Sequence, residues 1–198
     1  GWTVYGLRRS VALLPQGIRP VAGDLHADAC PATWPSEPLD YLVYCAAATE
    51  HDEAGYRAAY VDGLRRVLGW LAQQGQRLKR LLFVSSSGVY GQQHGEWVDE
   101  TSTAEAETFN GLALREAERI CLQESSARVL RLSGITGPGR NMLINKALLG
   151  TECANVWSNR IHISDAAAAV SHVLELSAAE PLWIATDDTP ALQCDVLN

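Results

Sequence analysis

The chain has 198 residues, of which 47% are hydrophobic and 20% are charged, so it can bury one sizeable core and we expect a single domain. Its formal net charge of -7 argues against a nucleic acid or an anionic membrane as partner, because both are bound mainly through Lys and Arg. Five cysteines without CxxC spacing indicate neither a disulfide framework nor a zinc cluster, and they favour a reducing, cytoplasmic location.

Short apolar runs alternate with longer segments of helical period, which is the pattern of βαβ units around a parallel sheet. Near the start, Arg8 and Arg9 precede an apolar stretch that resembles an export signal, but Pro15 and Gly17 interrupt it and we reject export. No apolar run approaches the ~20 residues needed to cross a bilayer. The predicted strands are Thr3–Leu7, Arg19–Ala22, Tyr41–Cys45, Leu81–Ser85, Arg128–Leu132, Asn159–Ile163 and Leu182–Ala185.

Three helices are predicted between these strands. The first runs from about Tyr56 to Gln74, the second from about Phe109 to Gln123, and the third follows Ser164, a plausible N-cap, to Leu176. The loop from Ser86 to Thr108 is long and carries little periodicity, which in a compact domain is typical of a functional loop. The sequence therefore predicts a doubly wound α/β domain.

The segment Leu81–Gly91, LLFVSSSGVYG, is a predicted buried strand that ends in hydroxyls. It resembles the strand-five motif VSSxxVYG of the extended short-chain dehydrogenases/reductases, the NAD-dependent epimerase/dehydratase family. The resemblance implies a Rossmann-like parallel sheet, and it implies that Ser86 hydrogen-bonds the reacting carbonyl or hydroxyl of a substrate. Hydroxyls at this end of a central strand face the crevice where open α/β sheets bind ligands. The alternative, a serine that only satisfies turn amides, stays open.

Further segments resemble the family in the expected order, and they imply contacts with a dinucleotide. Asp24 and Leu25 correspond to the adenine contacts, and Cys45, Ala46 and Ala47 correspond to a turn of small residues against the diphosphate and ribose. The segments that resemble the family are Gly23–Leu25, Cys45–Ala48, Tyr60–Gly63, Arg131–Arg140 and Asn159–Asp165. The resemblance also implies cofactor contacts at the ends of two predicted strands. These candidates are Ser85, at the end of Leu81–Ser85, and Leu132, Ser133 and Gly134, at the end of Arg128–Leu132 and just after it.

The end of the first predicted strand bears on the choice of cofactor. In the family, an acid here favours NAD, whereas Arg accommodates the 2′-phosphate of NADP. Here the strand ends in Arg8, Arg9 and Ser10. The resemblance therefore implies NADP rather than NAD, with two arginines that merely solvate a loop as the alternative.

Two departures from the family concern the cofactor and the chemistry. The chain has no GxxGxxG loop, whose glycines let the backbone approach a pyrophosphate, and it lacks the strand before that loop. That strand is central in the family order 3-2-1-4-5-6, so its neighbours must either leave a gap or pair directly. We expect a piece of a longer protein, cut at its start and also at its end, with weak or absent cofactor binding as given.

The second departure is in the YxxxK acid/base pair, where the lysine lowers the pKa of the tyrosine. Asn110 takes the Tyr position and Leu114 the Lys position, and neither can do that work. Tyr90 is then a catalytic candidate beside Ser86, and His94, Asp99 and Glu100 follow it in the same loop. Such losses are similar to those of atypical members described as bacterial nucleoside-diphosphate-sugar epimerases.

Three hypotheses of function remain. The first is an NAD(P)-dependent epimerase/dehydratase-like or oxidoreductase-like protein that acts on a nucleotide-sugar or a small hydroxyl or carbonyl substrate. The second is a non-catalytic NAD(P)-binding sensor or regulatory module, and the third is an inactive fragment. We expect residues 134–163 and 177–198 to form part of a small substrate-binding region of the single domain, with a homodimer as one option for assembly.

Overall fold

The computed structural model describes residues 1–92, 94–149, 156–177 and 180–197. The strands are β1 (Tyr5–Arg8), β2 (Arg19–Ala22), β3 (Tyr41–Tyr44), β4 (Arg80–Ser86), β5 (Ala127–Leu132), β6 (Gly134–Thr136), β7 (Trp157–Ser158), β8 (Arg160–His162), β9 (Leu182–Ala185) and β10 (Ala191–Leu192). The α-helices are α1 (Glu53–Tyr56), α2 (Gly63–Gln73), α3 (Phe109–Cys121), α4 (Met142–Leu148), α5 (Ile163–Glu175) and α6 (Gln193–Leu197).

Parallel strands form the centre of the molecule. A four-stranded parallel sheet has the order β3-β4-β5-β9, and β1 and β2 form a separate two-stranded parallel sheet. The predicted α/β class is confirmed. Of the two arrangements expected around the missing strand, direct pairing does not occur, because β1 and β3 belong to different sheets.

Each face of the four-stranded sheet carries its own core, as alternating side chains require. Phe83 and Val129 point to one face, where they pack with α2 and α3. Leu82 and Leu130 point to the other face, where they pack with α5. Helices on both faces make the sheet doubly wound, so its carboxyl ends are left as the edge where side chains can meet a ligand.

Two helix predictions need correction. The single helix expected over 56–74 is instead α1, a π-helical turn from Arg57 to Asp62, and α2. The N-cap of α5 is His162 and not Ser164, because the His162 ring nitrogen Nδ1 accepts a hydrogen bond from the Ser164 amide at 3.3 Å. Ser164 therefore lies inside the first turn.

The π-helical turn packs against Tyr44, which is buried at the end of β3. The Tyr44 hydroxyl donates a hydrogen bond to the Ala59 carbonyl inside the turn. A Cβ atom placed on Gly63 would lie 2.5 Å from the same hydroxyl oxygen. The glycine of the Tyr60–Gly63 segment is thus required by a close approach between helix and strand.

We expect Gly63→Ala to lower the free energy of unfolding by about 1–3 kcal/mol, because the added methyl group overpacks the contact with Tyr44. Gly69→Ala in the same helix is the control, since nothing lies within 4 Å of its Cβ position and alanine favours a helix. Urea unfolding of both variants measures the difference. Tyr44→Phe combined with Gly63→Ala should cost less than the sum of the separate losses; strict additivity would exclude the hydroxyl as the cause.

Two further findings concern membrane and cysteine predictions. Within the described ranges, no helix combines the length and apolar character needed to cross a bilayer. Cys30, Cys45 and Cys121 are free thiols. Cys194 is disulfide-bonded, which the cysteine count and spacing did not predict, and Cys153 lies outside the described residues.

Candidate functional site

A pocket of about 280 Å³ opens where β1, β2 and β3 end. Its walls are the segments that follow these strands, together with one side of α1 and the π-helical turn. We name it the Arg8 pocket. It is lined by Leu7, Arg8, Arg9, Ser10, Leu13, Gly23, Asp24, Leu25, His26, Ala47, Thr49, Glu50, Gly55 and Ala59.

The Arg8 pocket brings together predicted residues from three separate segments of the chain. Cys45 and Ala46 precede it on the loop after β3 and are not among its lining residues. The cofactor candidates that do line it are Arg8, Arg9, Ser10, Asp24, Leu25 and Ala47. Parallel strands explain this convergence, because their carboxyl ends meet at one edge of a sheet.

Two exposed arginines give the pocket positive charge. The Arg8 side chain donates to the Leu13 carbonyl at 3.3 Å, and the Arg9 side chain donates to the Thr49 hydroxyl at 3.4 Å. Neither arginine takes part in an ion pair among the described residues. Their charges are therefore available to an anionic group. Asp24 turns the loop beneath them by accepting from the His26 amide at 2.9 Å.

The two serines that end β4 have different surroundings. Ser86 is half-buried, and its hydroxyl oxygen accepts from the Gly88 amide at 3.1 Å, which caps a short 3₁₀ turn. Because that contact uses Ser86 as an acceptor, its O–H proton remains free to be donated to another oxygen. Ser85 is buried, and its hydroxyl donates to Glu118 at 2.6 Å.

Sequence reasoning missed a buried ion pair beside these serines. Glu118 on α3 and Arg131 on β5 are each 5% exposed, and two nitrogens of Arg131 donate to the two carboxylate oxygens at 3.0 and 2.7 Å. Arg131 begins the segment Arg131–Arg140, which resembles the family. The sequence signal was weak, because α3 also carries Arg115, Glu116 and Arg119 and β5 also carries Arg128. Nothing in these stretches singles out Glu118 and Arg131 as partners.

Tyr90 joins this pair from the loop after β4. Its hydroxyl accepts from Arg131 at 2.7 Å and donates to the Asp99 carbonyl at 2.8 Å, and the guanidinium lies 4.9 Å from the ring centroid. Burial raises the pKa of Tyr90, and the hydrogen bond and charge of Arg131 oppose that rise only in part. Tyr90 is thus a neutral phenol with its proton engaged, so its predicted catalytic role stays a prediction.

The other acid/base candidates of the loop differ in their engagement. Asp99 accepts from the amides of Thr101 and Ser102 at 2.9 and 3.0 Å, and hydrogen bonds from these two residues lower the pKa of Asp99. Glu100 accepts from the Ile184 amide at 2.9 Å. His94 is exposed. Two of the three candidates therefore shape the loop.

The positions that correspond to YxxxK face different surroundings. Leu114 is 6% exposed and belongs to the core between α3 and the sheet, while Asn110 is half-buried. The Leu114 side chain has no polar group that could lower the pKa of a neighbouring acid. Position 110 thus offers no phenol and position 114 offers no amine.

The remaining cofactor candidates lie at the end of β5. Leu132 and Ser133 are buried, and Gly134 is exposed at the start of β6. The Ser133 hydroxyl has no hydrogen-bond partner among the described residues. Buried hydroxyls are normally satisfied, so this one can accept or donate a hydrogen bond to an added group. These residues do not line the Arg8 pocket.

One family model covers most of the chain. The family model described as NAD dependent epimerase/dehydratase family matches residues 1–182. Protein YeeZ of Escherichia coli K12 is 33% identical over 101 residues, which cover 50% of this chain and 36% of YeeZ, so the match spans about a third of that relative.

Solved structures have a similar fold. A Methylobacillus flagellatus protein assigned to the NAD-dependent epimerases/dehydratases is 36% identical with a TM-score of 0.79, over 98% of this chain and 70% of that one. Bordetella bronchiseptica WbmG, solved with NAD, is 18% identical with a TM-score of 0.77, over 100% of this chain and 68% of that one. WbmG was also solved with NAD and UDP. At this identity WbmG supports the fold alone.

Proposed function

Because the chain belongs to the NAD-dependent epimerase/dehydratase family, we propose that the Arg8 pocket holds the adenosine end of NAD(P), with NADP preferred over NAD. The observation that carries this proposal is the convergence of Arg8, Arg9, Asp24, Leu25 and Ala47 on one pocket. These residues lie in segments of the sequence that resemble the family. Their meeting at the carboxyl ends of parallel strands is the arrangement that a nucleotide site of this fold needs.

The preference for NADP rests on charge. Arg8 and Arg9 are exposed and take part in no ion pair with a described residue, so a 2′-phosphate would not have to displace a carboxylate. Guanidinium groups bind phosphate through charge-assisted and often bidentate hydrogen bonds. Asp24 and Glu50 also line the pocket and add two opposing charges. Because neither carboxylate forms an ion pair with Arg8 or Arg9, both guanidinium groups can still bind the additional phosphate.

The residues present fit only part of the dinucleotide. The sequence contains no GxxGxxG motif, and a backbone cradle for the pyrophosphate is therefore not supplied by such a loop. We expect this chain to hold the adenosine end weakly. The chemistry that a bound NADP would supply is the transfer of a hydride, and the residues described above contribute binding and orientation.

For the substrate, we infer a nucleotide-sugar or a small hydroxyl or carbonyl compound. Ser86 lies at the end of β4 with its proton free, so it can donate a hydrogen bond to a carbonyl or hydroxyl oxygen. The small sheets β6-β8 and β7-β10 are formed by residues of the proposed substrate-binding region, 134–163 and 177–198. The UDP bound by WbmG makes a nucleotide-sugar the first probe.

A second candidate, binding of NAD(P) without turnover, is favoured by one specific observation. Leu114 is buried in the core where the family has its lysine, and the Tyr90 phenol is already engaged with Arg131 and Asp99. Neither Leu114 nor Tyr90 therefore offers a free acid or base in place of the usual pair. Formation of NADPH from NADP+ and UDP-glucose, followed at 340 nm, or conversion of UDP-glucose to another nucleotide-sugar, would count against this candidate, whereas NADP+ binding with neither reaction would support it.

We expect NADPH to bind more tightly than NADH, and Arg9→Ala to weaken NADPH binding by about 10- to 100-fold, because a charge-assisted hydrogen bond is worth about 1.5–3 kcal/mol. Titration calorimetry measures both affinities. Arg119→Ala, which removes an exposed arginine of α3, is the matched control and should leave the affinity unchanged. Equal affinity for NADPH and NADH, or an equal loss in both variants, would contradict the proposed NADP preference.

A further inference from the structure

Tyr90 contacts two features of the molecule that come from separate segments of the chain. One is the buried Glu118–Arg131 ion pair, which is held on α3 and β5. The other is the turn formed by residues 99–102, which we name the Asp99 turn. The Tyr90 hydroxyl contacts both, because it accepts from Arg131 at 2.7 Å and donates to the Asp99 carbonyl at 2.8 Å.

The Asp99 turn is ordered by its own side chains. The Asp99 carboxylate accepts from two amides and also from the hydroxyls of Thr101 and Ser102, at 2.7 and 3.0 Å. The Ser102 hydroxyl oxygen also lies 2.9 Å from the Asp99 amide and accepts from it. These local hydrogen bonds hold the turn in one conformation, so its position against the sheet depends on contacts with other segments.

Two outside contacts fix that position. The first is the hydrogen bond from Tyr90, and the second is the Ile184 amide of β9, which donates to Glu100 at 2.9 Å. Ile184 is the register partner of Arg131 in the parallel pair β5-β9. The turn therefore reaches from the end of β4 across β5 to β9.

The buried ion pair also holds the strand that carries Ser86. Ser85 donates to Glu118, and Ser85 and Ser86 are paired in register with Arg131 and Leu132. Two nitrogens of Arg131 donate to Glu118 and the third donates to Tyr90, so the guanidinium has little freedom to rotate. One fixed cation thus connects the end of β4 with the loop that follows it.

We propose that Tyr90 and Arg131 form a latch that holds the Asp99 turn against the sheet beside Ser86. Tyr90 is then a positioning residue for the wall of the crevice, and not the replacement acid/base. The hydroxyl of Tyr90 accepts one hydrogen bond and donates another within the latch. This role is independent of whether the Arg8 pocket binds a nucleotide, because every contact in it is within the protein.

Hydrogen exchange followed by mass spectrometry, on the ligand-free chain, tests the latch. In Tyr90→Phe we expect amides of residues 99–106 to exchange about five- to tenfold faster, because one hydrogen bond that holds the turn is lost. Amides of β4 and β5 should keep their rates. Tyr5→Phe is the matched control, since it also removes a hydrogen-bonded phenol, on the other sheet, bonded to Glu37 and Arg19.

Each outcome decides the proposal. Faster exchange confined to the turn in Tyr90→Phe, and again in Glu100→Ala, supports the latch. Unchanged exchange in the turn overturns it, as expected for a Tyr90 that serves only as an acid or base. Acceleration spread equally over β4, β5 and the turn also overturns it, because Tyr90 would then support the whole fold.

Discussion

Arg131→Met is expected to lower the free energy of unfolding by about 3–5 kcal/mol, the usual cost of removing one partner from a buried ion pair. Glu118 would keep its carboxylate in the core with only the Ser85 hydroxyl as a remaining partner from this cluster. Methionine fills much of the volume of the arginine stem, so the loss reports on charge and hydrogen bonding. Urea unfolding at neutral pH measures it, and an unchanged dependence on urea shows that the compared states are the same.

Two controls distinguish the cost of breaking a buried ion pair from the cost of breaking an exposed one. Arg65→Met removes an exposed partner of Glu116, with the two side chains 45% and 30% exposed, and should cost under about 1 kcal/mol. Arg131→Met combined with Glu118→Leu replaces both charges by apolar groups and should recover much of the loss. A cost for Arg131→Met no larger than that of Arg65→Met would show that the pair contributes little to stability.

Leu114→Lys, which restores the side chain found in the family, is expected to destabilise the chain by about 4 kcal/mol near pH 7. Leu114 is 6% exposed in the apolar core, so an amine there must lose its proton or open the core. Deprotonating a lysine about three units below its ordinary pKa near 10.4 costs about 4 kcal/mol. We therefore expect this variant to lose stability without gaining the chemistry of the family.

The pH dependence of this loss has a definite sign. Burial lowers the pKa of the introduced amine in the folded state, so below about pH 10 the unfolded chain binds a proton that the folded chain does not. The penalty should then shrink as the pH rises from 7 to 9.5, as measured by urea unfolding of the variant against the unmodified chain. Leu114→Met, with similar volume and no charge, should cost under about 1.5 kcal/mol at either pH. A small cost independent of pH would mean that position 114 opens to water.

Buried strands could be predicted from sequence because each is a short, nearly continuous apolar run. Arg19–Ala22 and Leu182–Ala185 were predicted with the bounds that the structure has. The first strand was placed too early, over 3–7 instead of 5–8, because Arg8 is polar although it pairs with Ala22. Strands β6, β7 and β10 were missed, since two or three residues are too few to show a period of two.

Contacts between distant residues explain the errors in the helices and the omissions at the site. The π-helical turn depends on a hydroxyl from Tyr44, which periodicity around residue 60 does not contain. Residues of the Arg8 pocket could be predicted, because the resemblance to the family identifies candidates at the end of each strand separately. The pairing of Glu118 with Arg131 was not, because it requires knowing which faces of α3 and β5 are opposed.

The separation of the two sheets has a consequence for how the Arg8 pocket works. The β1-β2 sheet joins the rest of the chain through side-chain contacts, such as Arg66 to the Leu25 carbonyl at 3.0 Å and Trp70 to the Asp28 carbonyl at 3.1 Å, and shares no backbone ladder with β3. Isolated two-stranded sheets are marginally stable. We expect the β1-β2 sheet to detach from the rest of the chain more readily than the main sheet unfolds. The apparent affinity of a ligand that contacts both the β1-β2 sheet and the loop after β3 is then reduced by the fraction of molecules in which the β1-β2 sheet is in place.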